Sequence, residues 1–116
     1  MEKPVDNRLA ALEQRVAALE SARLRPQQSA DWAAQASALA ALGHPVRLTL
    51  LREILRGRTT VSALSEVEGL GTSGQIYHHL RQLTAEGWLH TPSRGVFAVP
   101  PAREVALLAI LAALER

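Results

Sequence analysis

The sequence contains no cysteine, which excludes disulfides, thiolate metal sites and thiol-based redox sensing and makes the reducing cytoplasm the expected compartment. Aromatic residues reach only 3% of the chain, too few for the large stacking surfaces that flat cofactors require. No run of about 18 apolar residues is present to cross a membrane. The opening Met1-Glu2-Lys3-Pro4 lacks the apolar core of a signal peptide. Signatures of catalysis are missing as well: there is no nucleophile elbow, no phosphate-binding glycine loop and no His-Glu-x-x-His. Glu66 and Glu68, two positions apart, cannot share a helix face as an acid/base pair. The chain is therefore read as a non-enzyme, with no catalytic residue and no cofactor.

What remains is 116 residues with 47% hydrophobic and 21% charged content, enough for one small globular domain and a short appendage. Ala and Leu alone supply 39 residues, so helices should dominate. The formal net charge is only +2, but its placement is informative. Between positions 43 and 99, Arg47, Arg52, Arg56, Arg58, Arg81 and Arg94 stand against Glu53, Glu66, Glu68 and Glu86, so the whole excess lies there and points to an anionic partner.

The N-terminus repeats itself with a period of seven: Arg8-Leu-Ala-Ala-Leu-Glu13-Gln14 is followed by Arg15-Val-Ala-Ala-Leu-Glu20-Ser21. Leu9, Leu12, Val16 and Leu19 fall at the a and d positions, Val5 extends the seam, and Asp6 or Asn7 can cap the helix. Arg8 and Arg15 at g match Glu13 and Glu20 at e in a parallel pair, whereas an antiparallel pair sets like charges together. The pattern gives a coiled-coil dimerisation helix over 1–25; packing of that helix on its own domain stays open. Pro26, Gln27 and Gln28 break the heptads and give a linker over 26–31, leaving 32–116 as the globular domain.

In that domain Ser29 caps a helix over 30–42 anchored by Trp32, Leu39 and Leu42 and stopped by Gly43. His44-Pro45 opens the next helix, to Arg56, with Val46, Leu50, Leu51, Ile54 and Leu55 on its buried stripe and Gly57 as its end. Thr60 caps a helix of about seven residues around Val61, Leu64 and Val67. A glycine turn at 68–71 follows, and Thr72 or Ser73 caps a longer helix to Glu86 with Ile76, Leu80 and Leu83 on one face. Two β-prone runs, 88–91 and 96–99, flank a turn at 92–95. A last helix over 102–115 is apolar on nearly every side, and Val105, Leu108, Leu111 and Leu114 give it a second face to bury against another chain.

Short helix, glycine turn, capped helix and hairpin are the order of a helix-turn-helix with a wing, so the fold class is mainly α with a two-stranded β wing. The reading helix is 72–86 and the wing 88–99. Thr72, Ser73, Gln75, Tyr77, His78 and Arg81 offer donors, acceptors and cations without an acidic residue, which suits phosphates and base edges of double-stranded DNA. Arg94 at the wing tip can reach a phosphate or a narrow minor groove.

Two stretches resemble the ArsR-type winged-helix repressors: Ala-Leu-Gly43-His-Pro45-Val-Arg47-Leu-x-Leu-Leu, and Gly71-Thr-Ser-Gly-Gln-Ile-Tyr-His-His79-Leu-Arg-Gln-Leu83 with the following Ala-Glu-Gly87-Trp-Leu. The resemblance spans roughly 30–115. It implies a dimeric DNA-binding transcriptional regulator, a repressor whose first and last domain helices form the dimer. It places DNA-reading positions on Ser73, Gly74, Tyr77 and His78, and a structural histidine at His79. The chain departs from the family's metal sensors, lacking their cysteine pair and any His or Asp in the last helix, so no metal ligands are assigned. His78 and His79 project about 100° apart on a helix, and His44 and His90 stand in separate elements; a helix cap or a packed polar residue are the roles open to His44. A small apolar effector between the terminal helices is a refinement of this reading. The rival reading is a winged-helix and coiled-coil protein-interaction module that does not bind DNA.

Overall fold

Proline and glycine set most of the helix boundaries in this chain. The computed structural model describes residues 4–24 and 31–115, with side chains for 7–20 and 31–115, and the chain divides into two units, Met1–Asp31 and Trp32–Arg116. The first unit holds α1 (Pro4–Leu24). It is already helical at Pro4, a residue pre-shaped for the first helical turn, so the expected cap at Asp6 or Asn7 falls inside the helix instead. Leu9, Leu12, Val16 and Leu19 are 55, 55, 51 and 71% exposed. The Val5 side chain, Ser29, Ala30 and most of the expected linker lie outside the described residues.

The second unit opens with a 3-10 turn, Trp32–Gln35, that leads into α2 (Ala36–Leu42). One continuous helix was the expectation; no side chain caps the start of α2. Gly43 ends α2 with φ −78, so it is not the left-handed stop its identity suggests. The break comes from His44-Pro45. The residue before proline is driven out of the α region, and His44 is extended at φ −136, ψ 126. Its Nδ1 accepts a hydrogen bond from the Val46 N–H at 3.1 Å, which makes His44 the N-cap of α3 (Pro45–Leu55). Leu50, Leu51 and Ile54 are buried, but Leu55 is 38% exposed and leaves the expected stripe, because at about 100° per residue it lies one step beyond Ile54, at the edge of the inward face. Glu53 takes a buried position instead.

Thr60 caps α4 (Val61–Leu64) by accepting from the Ala63 N–H at 3.2 Å. This helix is shorter than the seven residues expected: after Ser65 the backbone bonds change to i→i−3 turns, Glu66 N–H to the Ala63 carbonyl at 3.3 Å and Val67 N–H to the Leu64 carbonyl at 3.0 Å, and the chain then bends toward Leu70, a core residue. Next comes α5 (Ser73–Ala85), whose Ile76, Leu80 and Leu83 are fully buried. It ends in a pair of bonds, Trp88 N–H to the Leu83 carbonyl at 2.9 Å and Gly87 N–H to the Thr84 carbonyl at 3.1 Å, with Gly87 at φ +82. This is the Schellman arrangement, which requires a left-handed residue and so favours glycine.

The wing is β1 (His90–Ser93) paired antiparallel with β2 (Val96–Ala98), with His90 opposite Ala98 and Ser93 opposite Val96 and an irregularity between them. Both strands start later or end earlier than their β-prone runs. Trp88 and Leu89 are only 3 and 2% exposed, so they belong to the core and not to a strand, while Pro92 and Ser93 are drawn from the expected turn into β1. Arg94 and Gly95 alone make the turn. Phe97 N–H donates to the Thr59 carbonyl at 2.8 Å, pinning the wing to the loop between α3 and α4.

The last helix, α6 (Pro101–Leu114), buries Leu107 in the same core. Its apolar residues divide by face: Val105 and Leu108 are half exposed, Leu111 packs partly against the core, and Leu114 is exposed at the helix end. The architecture is a mainly helical winged helix-turn-helix. Gly87→Ala should lose about 1–3 kcal/mol in urea unfolding, because a Cβ there adopts the left-handed conformation and sits 3.0 Å from Arg103 Nη2. An unchanged midpoint would contradict the cap.

Candidate nucleic-acid interface

The face of α5 away from Ile76, Leu80 and Leu83 carries the candidate site. Helical spacing puts Gly74, Tyr77, His78 and Arg81 together on that face, and all four are exposed. Tyr77 is 43% exposed, an unusual place for a large ring unless it has something to touch. Ser73 sits to one side, its hydroxyl 3.4 Å from that of Ser65 in the turn after α4. Thr72 and Gln75 are exposed but also structural. Thr72 Oγ1 accepts from the Gln75 N–H at 3.2 Å, and Gln75 Oε1 accepts from the Thr72 N–H at 2.8 Å. This reciprocal capping box fixes the start of α5 and leaves the Gln75 side chain its two amide N–H donors, with one acceptor position of Oε1 already taken. Gly71 is required beside it, since a Cβ there would collide with the Gln75 amide. The Thr-x-x-Gln spacing already selects Thr72 over Ser73 as the cap.

Arginine partners decide where the positive charge is free. Glu53 accepts from Arg52 and Arg56 at 3.3 Å each and pairs with Arg58 at 3.5 Å. Arg58 also reaches Glu66 at 3.1 Å and the Ala63 carbonyl at 3.1 Å. Arg47 turns inward, donating to His79 Nδ1 at 3.2 Å and to the Ala41 carbonyl at 3.4 Å. Among the described residues of 43–99, Arg81 and Arg94 are exposed arginines with no ion pair. One lies on the outward face of α5 and the other at the tip of the wing, the two elements singled out as DNA-reading from sequence. Sequence reasoning missed the buried Glu53; a lone glutamate among arginines gives no sign of which of them it will hold.

His79 holds α5 against the start of α3. Its ring lies 4.6 Å from that of His44 and 5.7 Å from that of His78. Because Nδ1 accepts from the permanently charged Arg47, the His79 ring is neutral with its proton on Nε2. Burial lowers its pKa below the ordinary 6.5, and the charges of His44, Arg47 and His78 push the same way. His78, one position earlier, is on the exposed face. No three of His, Asp or Glu converge among the described residues.

No protein-family model matches the chain, and no curated protein does. Among solved structures, the crystal structure of an ArsR family transcriptional regulator matches with a TM-score of 0.54 and 26% identity, over 72% of this chain and 90% of that one. The fold is the ArsR-type winged helix. The match extends over most of the length of that regulator. No helix among the described residues is long and apolar enough to cross a membrane.

A histidine with a lowered pKa leaves the unfolded chain binding more protons between that pKa and 6.5, so stability rises with pH across that window and falls on acidification through it. His79→Gln, which keeps an acceptor for Arg47, should flatten the fall in urea midpoint between pH 7 and 5. An undiminished acid slope would show that His79 does not report this contact.

Proposed function

We propose that this chain is a DNA-binding transcriptional regulator that acts as a homodimer, reading an inverted repeat through α5 and the wing. The observation that carries this is the exposed face of α5 on an ArsR-type frame: Tyr77, His78 and Arg81 point away from the core, and among the described residues of 43–99 the exposed arginines without an ion pair are on that helix and on the wing tip. Arg81 and Arg94 suit phosphates, and Tyr77 and His78 suit base edges in the major groove. Ser73 and Gly74, at the first turn, let the helix N-terminus approach the backbone closely, where its amide groups favour an anion. Repression, by occupying an operator, is the mode that the ArsR-type resemblance supports.

Two apolar surfaces support pairing with a second copy. Val105 and Leu108 form an outward stripe on α6, and Leu9, Leu12, Val16 and Leu19 one on α1, all about half exposed or more in the single chain. Leu111 and Leu114 extend the α6 contact toward its end. A short heptad helix alone is marginal, but the α6 contact holds two copies near one another and raises the effective concentration of the α1 pair. Symmetry then places two reading helices on half-sites about 34 Å apart.

Selection from a random duplex pool should return dyad-symmetric sites; recovery of none would overturn the reading. Tyr77→Ala and His78→Ala should each weaken the selected site by about 1–3 kcal/mol, with little change on random DNA. Arg81→Ala should weaken both and reduce the slope of log K against log salt by about 0.9 per protomer, about 1.8 for the dimer. Equal losses on both DNAs for all three variants would place the reading face elsewhere.

Leu12→Cys at a d position should oxidise to a cross-linked dimer that still binds DNA. If it stays monomeric in denaturing gels while the native protein remains dimeric, α1 does not pair in parallel.

A further inference from the structure

Beside the buried face of α6 lies a groove of about 440 Å³, lined by Leu39 and Ala38 of α2, Trp88, and Ala106, Ile110 and Arg103 of α6. Its volume falls within the range of about 300–1,000 Å³ usual for small-molecule sites. The walls are mostly apolar, with Gln35 as their one uncharged polar side chain besides the indole, and the polar atom of the indole is already engaged, Trp88 Nε1 donating to the Ala38 carbonyl at 2.8 Å. One charged group remains in the lining. The Arg103 guanidinium lies over the Trp88 ring, 4.9 Å from its centroid, in a space that Gly87 leaves open by having no side chain.

Arg103 has no carboxylate within salt-bridge distance among the described residues, in contrast to Arg52, Arg56 and Arg58. It also sits in the first turn of α6, at the positive end of the helix dipole, where Pro101 has no N–H and the Arg103 and Glu104 N–H groups already donate to the Pro100 carbonyl at 2.9 Å each, so the guanidinium itself is the group that can hold an anion. A stacked, unpaired guanidinium beside a helix N-terminus and an apolar groove is complementary to a molecule with one anionic end and an apolar body. The groove lies between α2 and α6, the first and last domain helices that the ArsR-type resemblance gives to the dimer, whereas Val105 and Leu108 stand on another side of α6; self-association is therefore followed alongside binding.

We propose that this groove binds an amphipathic monocarboxylic acid, its carboxylate on Arg103 and its apolar body against Trp88, Leu39, Ala106 and Ile110. Binding itself does not depend on DNA; a regulatory meaning rests on the DNA-binding reading, and the two are measured apart. Trp88 is both a lining residue and the residue that follows the cap of α5, so it reports occupancy directly.

The test uses the full chain with Trp32→Phe, which leaves Trp88 as the only tryptophan of the two in the sequence. Octanoate, 1-octanol and octylammonium are titrated below their aggregation concentrations, following Trp88 emission and the heat of binding. Octanoate should saturate the signal and bind about tenfold or more tighter than 1-octanol, the factor a charge-assisted contact supplies, with octylammonium weakest. Arg103→Gln should remove the preference for octanoate while 1-octanol binding persists, and Arg103→Lys should keep part of it. Ala106→Trp, which fills the groove, should abolish binding of all three. Equal affinity for octanoate and 1-octanol, a preference that survives Arg103→Gln, or no saturable binding of octanoate would overturn the proposal. So would binding that disappears as the protein self-associates, because the groove would then be covered by a second copy. DNA affinity measured with and without octanoate is a separate readout, so a failure of DNA binding leaves the binding result standing.

Discussion

Burial of Ile76, Leu80 and Leu83 fixes the orientation of α5, and most of what this domain can do follows from that. The three side chains are fully buried and lie on one stripe, so the helix cannot rotate without exposing leucine and isoleucine at a cost of about 1.5–3 kcal/mol each. Once that stripe is set, Tyr77, His78 and Arg81 are held outward. The helix is fixed at both ends as well, by the Thr72–Gln75 capping box and by the Schellman bonds at Gly87. Side chains meant to meet a rigid partner such as duplex DNA gain from this fixity, because little freedom is left to lose on binding.

The same core ties the reading helix to its surroundings by polar contacts that each join two elements. Arg47 and His79 connect α3 to α5, Trp88 connects the end of α5 to α2, and Phe97 connects the wing to the loop after α3. Glu53 has a different effect. Its single carboxylate is shared by Arg52, Arg56 and Arg58, with Glu66 also on Arg58, which reduces the cationic character of that side and leaves Arg81 and Arg94 as the exposed arginines of the helix-turn-helix and wing with no ion pair among the described residues. A net charge of only +2 can serve an anionic partner when it is focused in this way.

Much of this frame was legible because boundary residues act locally. Thr60, Thr72, Gly57 and Gly87 announce caps and stops through a few neighbouring residues, and Ile76, Leu80 and Leu83 announce a face through their spacing. The errors arose where tertiary packing overrode local preference. Trp88 and Leu89 have the composition of a strand but were taken into the core, which moved β1 along the chain and reduced the turn to Arg94 and Gly95. Leu55 reads as buried by composition yet lies beyond the inward stripe of α3. At the site, the exposed face of α5 followed from periodicity, whereas the capping duty of Gln75, the inward turn of Arg47 and the pairing of Arg103 with Trp88 depend on residues 3 to 32 positions apart in sequence; the longer of these separations leave no local signal.

The central claim is that the outward face of α5 and the wing tip touch duplex DNA. Backbone amide chemical shifts of the full chain, followed during titration with a duplex at low salt, test it most directly. The account predicts that the largest shifts fall at 72–81 and 93–95, with smaller ones at the first turn of α4. Shifts concentrated in α1 or α6 with 72–81 unmoved, or no shifts at all, would contradict it.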